Sequence, residues 1–274
     1  MPAPTPPETP SDVLKIAIVG RPNVGKSLLL NTLVGSRRAI VDATPGTTHD
    51  ALDTILDFPG QNVLLIDTAG IRRRGRVQSA LEKYSVLRSL RALERADVVL
   101  LVLDATEPLT SQDTHIAGYV QQAAKGIVLV VNKWDLVAEK NIPQWNKLLK
   151  SKLKFMTYAP IVYTSALTGA GVDQIIPTAQ EVYRERRKRL NTAAVNSLVQ
   201  EAIAAHNLPR QGRKRLKLFY ATQAETAPPT FVFFVNDPKL IHFSYERFLE
   251  NKLRQAFGFA GTPLRLVFKA RGEA

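Results

Sequence analysis

The feature that most constrains this chain is an eight-residue segment, Gly20 to Ser27, with the spacing G-x-x-x-x-G-K-S. It follows the short apolar run 15–19 and precedes the leucine-rich stretch 28–34, so a strand, a loop and a helix are predicted in succession. Loop amides and the helix N-terminus then offer N–H groups and positive dipole to an anion. Lys26 would reach the β- and γ-phosphates, and the Ser27 hydroxyl would bind Mg²⁺. The spacing predicts a nucleoside triphosphate site formed by Gly20, Arg21, Pro22, Asn23, Val24, Gly25, Lys26 and Ser27.

Composition limits the classes of protein that need to be considered. The 274 residues suffice for one large domain or two ordinary ones. No apolar run approaches the roughly 18 residues of a membrane span, and the Pro-rich start lacks the pattern of a secretion signal. With no cysteine, a disulfide framework is excluded, and we expect a cytoplasmic protein.

Apolar runs alternate with amphipathic stretches over residues 15–189, which is typical of an α/β fold with a mostly parallel sheet. In such sheets ligands gather at the carboxyl ends of the strands, where the glycine loop already lies. The alternative to a phosphate site is that Gly20 to Ser27 is only a glycine turn between a strand and a helix, with no ligand. The full eight-residue spacing in this context makes that alternative much the weaker one. The candidate strands are 15–19, 51–57, 62–67, 97–104, 127–132 and 160–164.

Three further motifs stand at predicted strand ends. In Asn132-Lys133-Trp134-Asp135, the aspartate can accept guanine N1–H and the 2-amino group, neither of which adenine offers. Backbone amides of Ser165 and Ala166 could meet guanine O6. A third motif could hold Mg²⁺ through the Asp67 carboxylate and approach the γ-phosphate with the Gly70 amide; it consists of Asp67, Thr68, Ala69 and Gly70.

Together these motifs resemble the translation-factor class of P-loop GTPases, which implies binding of GTP or GDP with Mg²⁺. The resemblance makes Thr48, in Gly46-Thr-Thr48, a further Mg²⁺ ligand in a switch loop. We assign Lys26, Thr48 and Gly70 to catalysis. Ile71 stands where Ras-like proteins carry the glutamine that orients the attacking water, and isoleucine cannot hydrogen-bond water, so another group must assist. The resemblance implies that Asn23 helps to hold K⁺ near the phosphoryl group, and we predict slow hydrolysis that K⁺ stimulates.

The C-terminal part predicts a second, smaller domain. Helical periodicity begins near residue 192, and alternating strands and a helix ending at Gly258 give the order α-β-β-α-β. This pattern is typical of a KH-like module. We therefore predict a flexible tail at 1–13, a G domain at 14–190 and a KH-like domain at 191–274. The literal GXXG match, Gly258 to Gly261, follows the last helix, where we expect it to end that helix rather than clamp RNA.

Several C-terminal strings narrow the resemblance: Tyr220-Ala-Thr-Gln223, Pro228-Pro-Thr-Phe231, Val235-Asn-Asp-Pro238 and Ala256-Phe-Gly-Phe259. With the G motifs they resemble the Der/EngA GTPases, bacterial and organellar factors in maturation of the large ribosomal subunit. The resemblance implies a pre-ribosomal particle and its rRNA as partners, in the bacterial cytosol or an organelle. Family members carry two G domains. This chain resembles the second of them with the KH-like domain, and we expect it to be a piece of a longer protein.

Charge supports a polyanionic partner for the C-terminal part. Residues 1–180 carry 20 Lys/Arg and 16 Asp/Glu, whereas residues 181–274 carry 17 and 8, so the net charges are +4 and +9. The candidate phosphate contacts are Arg210, Arg213, Lys214, Arg215 and Lys217. Two other functions remain open: an RNA-binding assembly scaffold in which nucleotide only sets the conformation, and an Era-like GTPase of the small subunit.

Overall fold

The computed structural model describes residues 13–35, 53–59, 61–66, 92–205, 210–211 and 214–271. The chain divides into two compact units, Met1–Gln180 and Glu181–Ala274. The predicted tail lies almost wholly outside the described residues, and the domain boundary near residue 190 stays a prediction.

The first unit contains a six-stranded sheet in the order β2-β3-β1-β4-β5-β6. All neighbouring pairs are parallel except β2 and β3, which are antiparallel. Every residue of β3, β4 and β5 is buried, as a sheet covered on both faces requires. The predicted α/β fold with a mostly parallel sheet is therefore confirmed. The strands are β1 (Leu14–Val19), β2 (Thr54–Leu56), β3 (Val63–Ile66), β4 (Val98–Asp104), β5 (Gly126–Asn132) and β6 (Ile161–Tyr163).

Helices of the first unit begin and end where local sequence signals place them. The Thr110 hydroxyl accepts from the Asp113 amide while the Asp113 carboxylate accepts from the Thr110 amide, a capping box at the start of α2. Asn141 caps α3, which carries a proline in its first turn. Residues 92–95 are also helical. The helices are α1 (Lys26–Gly35), α2 (Ser111–Gln122), α3 (Ile142–Lys152) and α4 (Ile175–Arg187), and α4 crosses the border between the units.

The second unit packs two helices on one face of a three-stranded sheet. Its strands run in the order β11-β10-β9, with β9 antiparallel and β11 parallel to β10. Phe231 and Phe233 of β10 share a buried cluster with Val199, Leu249 and other helical residues. The small α+β domain that the sequence predicted is confirmed. The elements are α5 (Thr192–Ala205), β7 (Arg210–Gln211), β8 (Lys214–Arg215), β9 (Leu218–Thr226), β10 (Pro229–Val235), α6 (Phe243–Phe257) and β11 (Arg265–Ala270).

The GXXG match ends a helix. The Gly258 amide donates to the Arg254 carbonyl, and Gly258, Phe259 and Gly261 all have positive φ. The amide of Phe259 donates to Glu185 Oε2 at 2.5 Å, so the turn is tied to α4 instead of standing free between two helices.

Candidate nucleotide-binding site

The glycine loop lies between β1 and α1, and its conformation needs both glycines. Gly20 has φ +152°, and a Cβ there would lie 2.5 Å from the Val102 carbonyl oxygen of β4. At Gly25, with φ +95°, a Cβ would lie 2.3 Å from Asn132 Nδ2. Neither distance is possible for a real Cβ, so the two glycines let the loop pass directly against β4 and β5. Asn23 also takes a left-handed conformation, with φ +66°.

Lysine and serine of the loop stand at the start of α1. The Lys26 ammonium donates to the Arg21 carbonyl at 2.5 Å, which brings the charge back over the loop. The Leu29 amide donates to the Gly25 carbonyl at 2.9 Å, so the helix begins directly at the second glycine. The side chains of Lys26 and Ser27 are both half-buried. This combination places a cation, a hydroxyl and a helix N-terminus at one point.

Arg21 is anchored in a way that the sequence reading missed. Its guanidinium contacts Glu107 at 2.6 Å and Asp113 at 3.4 Å. Asp113 is the same residue that caps α2 together with Thr110. The capping box can be recognised in the sequence. The ion pair between Asp113 and Arg21, 92 residues earlier, cannot, because only the fold brings β1 and β4 together. The ion pairs hold the first turn of the loop against the connection that follows β4.

Asn132 connects the glycine loop to the segment after β6. Its side chain is 1% exposed. Nδ2 donates to the Val24 carbonyl at 2.9 Å, and Oδ1 accepts from the Ala166 amide at 2.9 Å. One side chain therefore satisfies backbone groups of two of the predicted phosphate- and base-binding segments. Thr32 of α1 adds a second link, because its hydroxyl donates to the Ala166 carbonyl at 2.8 Å.

Lys133 is held in place by a buried carboxylate at the end of β4. Its ammonium contacts Asp104 Oδ2 at 2.6 Å, and its backbone has φ +62°. Burial by itself would raise the pKa of Asp104. Hydrogen bonds from Lys133 and Thr106 outweigh that effect and hold the pKa below its ordinary value of 3.8. The ionised carboxylate fixes the lysine where the strand ends.

Asp135 follows in a short 3₁₀ turn, Trp134–Leu136. The Trp134 amide donates to the Thr164 carbonyl at 3.0 Å, which sets this turn beside the segment that holds Ser165 and Ala166. Asp135 is half-buried. The Ser165 hydroxyl accepts from the Thr168 amide, closing that loop on itself. The structure thus brings together Gly20–Ser27, Asn132–Asp135 and Ser165–Ala166, at the carboxyl ends of β1, β5 and β6.

Some predicted site residues fall outside the part of the chain that the structure describes. They are Thr48, Asp67, Thr68, Ala69, Gly70 and Ile71. Asp67 directly follows Ile66, the last residue of β3, which is paired with Ala17 of β1. The register therefore brings the chain to the glycine-loop edge of the sheet just before this motif begins.

A mostly parallel sheet with a glycine loop after β1 and an Asn-Lys-x-Asp segment after β5 defines a P-loop G domain of the GTPase class. Comparison with known proteins agrees. A family model described as "50S ribosome-binding GTPase" matches residues 15–133, and one for the elongation factor Tu GTP-binding domain matches 82–200. Residues 189–269 match the KH-domain-like C-terminal domain of EngA bacterial GTPases.

Curated relatives narrow this class to one family. The chain is 51% identical to GTPase Der of Moorella thermoacetica over 264 residues, 96% of this chain and 60% of that protein. It is 52% identical to GTPase Der of Thermomicrobium roseum over 261 residues, 94% of this chain and 57% of that protein. The chain belongs to the Der/EngA GTPase family, of which it is similar to the second G domain with the KH-like domain. It spans about 60% of the length of these relatives.

Among solved structures, Era in complex with MgGDPNP and nucleotides 1506–1542 of 16S ribosomal RNA is similar in fold. That match has a TM-score of 0.49 and 24% identity, and it covers 94% of this chain and 92% of the other. No helix in the described part of the chain is long and apolar enough to cross a membrane.

Proposed function

We propose that this chain hydrolyses GTP and acts as a nucleotide-controlled switch in assembly of the large ribosomal subunit. The observation that carries the proposal is the Asn132 side chain, which bonds both the glycine loop and Ala166. Through it, hydrogen bonds join the phosphate-binding loop to the two candidate base-binding segments. Such an arrangement can read the base and the phosphates of one nucleotide at the same time.

The residues at the start of α1 suit a magnesium nucleotide. Lys26 supplies a positive charge for the β- and γ-phosphates, and loop amides supply hydrogen bonds that favour the charge developing in the transition state. The Ser27 hydroxyl, with the Thr48 hydroxyl and the Asp67 carboxylate, makes an all-oxygen donor set of the kind that Mg²⁺ prefers. Bound Mg²⁺ would neutralise phosphate charge. The amide of Gly70 is proposed to contact the γ-phosphate.

The proposed partner is the large ribosomal subunit or its precursor. Support comes from the ribosome-binding description of the matching family model and from the basic C-terminal part of the chain. Asn236 orders two of the candidate rRNA contacts, because its side chain accepts from the Lys217 amide at 2.7 Å and donates to the Arg215 carbonyl at 3.0 Å. Both basic side chains are exposed. We propose that they contact rRNA phosphates.

Hydrolysis is proposed to depend on K⁺ through Asn23. This residue is exposed and its backbone is left-handed, whereas the next residue, Val24, is buried. Its amide oxygen could serve as one ligand of a monovalent cation. GTP turnover should therefore be faster in KCl than in NaCl at equal ionic strength, and ATP turnover should be negligible in both. Phosphate release measured under the four conditions provides the test. Equal GTP rates in the two salts would contradict the K⁺ role, and no turnover at all would contradict the proposed activity.

Base selection is proposed to rest on Asp135. Replacing its carboxylate by an amide in Asp135→Asn exchanges an acceptor for a donor, so affinity should shift from guanine to xanthine nucleotides by roughly two orders of magnitude or more. Equilibrium binding of GDP and XDP measures the change. Glu139→Gln removes one charge from an exposed nearby position and should leave the preference for GDP intact. If Asp135→Asn bound GDP as tightly as the parent chain, the assignment would be wrong.

A further inference from the structure

The second unit has an aromatic pair on the face of its sheet that the helices do not cover. Ala221, Phe231, Phe233 and Val235 are buried in the cluster formed with α5 and α6. The alternation of side chains along β9 and β10 sends Tyr220 and Phe234 to the opposite face. These two residues are direct cross-strand partners, and their rings stack with centroids 4.3 Å apart and planes 15° from parallel. Tyr220 remains 42% exposed.

The outer ring face of this pair lies at an edge of the sheet. β9 is an edge strand, so within the three-stranded sheet Tyr220 has no neighbouring strand on the side away from Phe234. A flat ring could extend the existing stack there, as bases do on aromatic side chains of single-strand-binding proteins. Thr222, Val232 and Val267 form the next row of the same face, and all three are half-buried.

Addition of a peptide strand to the same edge is disfavoured. Asn196 of α5 accepts from the Ala221 amide at 2.9 Å and donates to the Ala221 carbonyl at 2.9 Å. These bonds satisfy the outward-pointing backbone groups of β9 in the middle of the strand, next to Tyr220. A strand-like partner would have to break both bonds before it could pair. A partner that stacks on the ring leaves them intact.

Positive charge is concentrated around the aromatic pair. Lys269 is the register partner of Phe234 on β11, and the Arg271 guanidinium lies 5.0 Å from the centroid of the Phe219 ring. Lys217 precedes β9 at the same end of the sheet. Two carboxylates belong to the same part of the chain: Asp237 contacts Lys214 at 3.7 Å, and Glu225 of β9 lies opposite Thr230, in a different row from the Tyr220–Phe234 pair. Lys217, Lys269 and Arg271 are all exposed.

We propose that this sheet face, consisting of Tyr220, Phe234, Lys217, Lys269 and Arg271 and called here the stacking platform, binds an unpaired stretch of RNA. A base stacks on Tyr220, and the cations contact the adjacent phosphates. A KH module that clamps RNA uses a GXXG loop between helices, whereas here the glycines end α6 and are tied to α4. That the partner is RNA rests on the proposed function. The inference adds where on the second unit the RNA binds and that it binds by stacking.

The experiment measures binding of a fluorescently labelled oligoadenylate of about ten nucleotides to the whole chain, with a duplex RNA of equal length for comparison. Tyr220→Ala should weaken binding of the single strand about tenfold or more, and Tyr220→Phe should restore it. Phe243→Ala removes an aromatic ring that is 66% exposed, outside the platform, and should have no effect. Lys269→Gln should weaken binding and Lys239→Gln, at another exposed lysine of the same unit, should not.

Thermal unfolding of each variant shows whether it is folded, and GTP hydrolysis is measured on the same samples. Retained hydrolysis with lost single-strand binding in Tyr220→Ala supports the platform. Undiminished oligoadenylate binding by folded Tyr220→Ala overturns it. Equal loss in Tyr220→Ala and Tyr220→Phe also overturns it, because stacking does not need the hydroxyl. If the parent chain hydrolyses GTP but binds no single-stranded RNA, the platform proposal is overturned and the proposed GTPase activity stands unaffected.

Discussion

At the scale of single residues, the candidate site depends on side chains and glycines that bring backbone segments very close together. Gly25 is the tighter of the two glycines of the loop, because its missing side chain makes room for Asn132. The same asparagine bonds Val24 and Ala166, so a change at Gly25 reaches both segments. The glycine that the motif requires is thus needed twice, for its positive φ and for the approach of β5.

Gly25→Ala should therefore destabilise the first unit by about 1–3 kcal/mol and weaken nucleotide binding, since the new Cβ must displace Asn132. Gly118→Ala is the matched control: Gly118 lies inside α2 with open space around it, and alanine there should stabilise the helix by about 0.5–1 kcal/mol. Chemical denaturation and equilibrium binding of GDP measure both effects. Gly25→Ala with the stability and affinity of the parent chain would show that Asn132 is not placed as described.

At the scale of elements, the sequence predicted much of the sheet and less of what joins its parts. Buried parallel strands are continuous apolar runs, so β1, β4, β5 and β6 could be located to within a residue or two. The short β7–β8 hairpin was not predicted, because two-residue strands carry no periodic signal. Nor was the Lys133–Asp104 ion pair, since Asp104 ends β4, Lys133 follows β5, and the two meet only because β4 and β5 are neighbours.

Gln223 illustrates the same limit in the second unit. In the sequence, Tyr220-Ala-Thr-Gln223 was recognised as a family signature, without a physical role for Gln223. In the structure the buried amide group donates to the Lys188 carbonyl at 2.8 Å and accepts from the Leu190 amide at 2.7 Å. One side chain of β9 thereby fixes the segment between α4 and α5. Such roles are decided by the path of the backbone more than thirty residues away, which local pattern does not contain.

At the scale of the whole molecule, charge and chemistry are divided between the two units. Residues 181–274 carry a net charge of +9, against +4 for residues 1–180, whereas all the described nucleotide-site residues lie in the first unit. A protein organised in this way should respond to salt in two different ways. Binding of a polyanion should weaken steeply as salt rises because cations are released from RNA on binding, and nucleotide binding should change little by comparison.

We therefore expect the logarithm of the affinity of the chain for large-subunit particles or their rRNA to fall linearly with the logarithm of salt concentration. Arg215→Gln and Lys217→Gln should each reduce the slope of this salt dependence by about one, since each removes one proposed phosphate contact. Asn236 holds the backbone of both residues in place. Lys140→Gln, at an exposed lysine of the first unit, serves as the control and should leave the slope unchanged. Filter binding over a salt series, with GDP affinity measured in the same buffers, makes the comparison. A slope that neither variant alters would place the rRNA contacts elsewhere on the basic unit, and a salt-independent affinity would contradict recognition through phosphates.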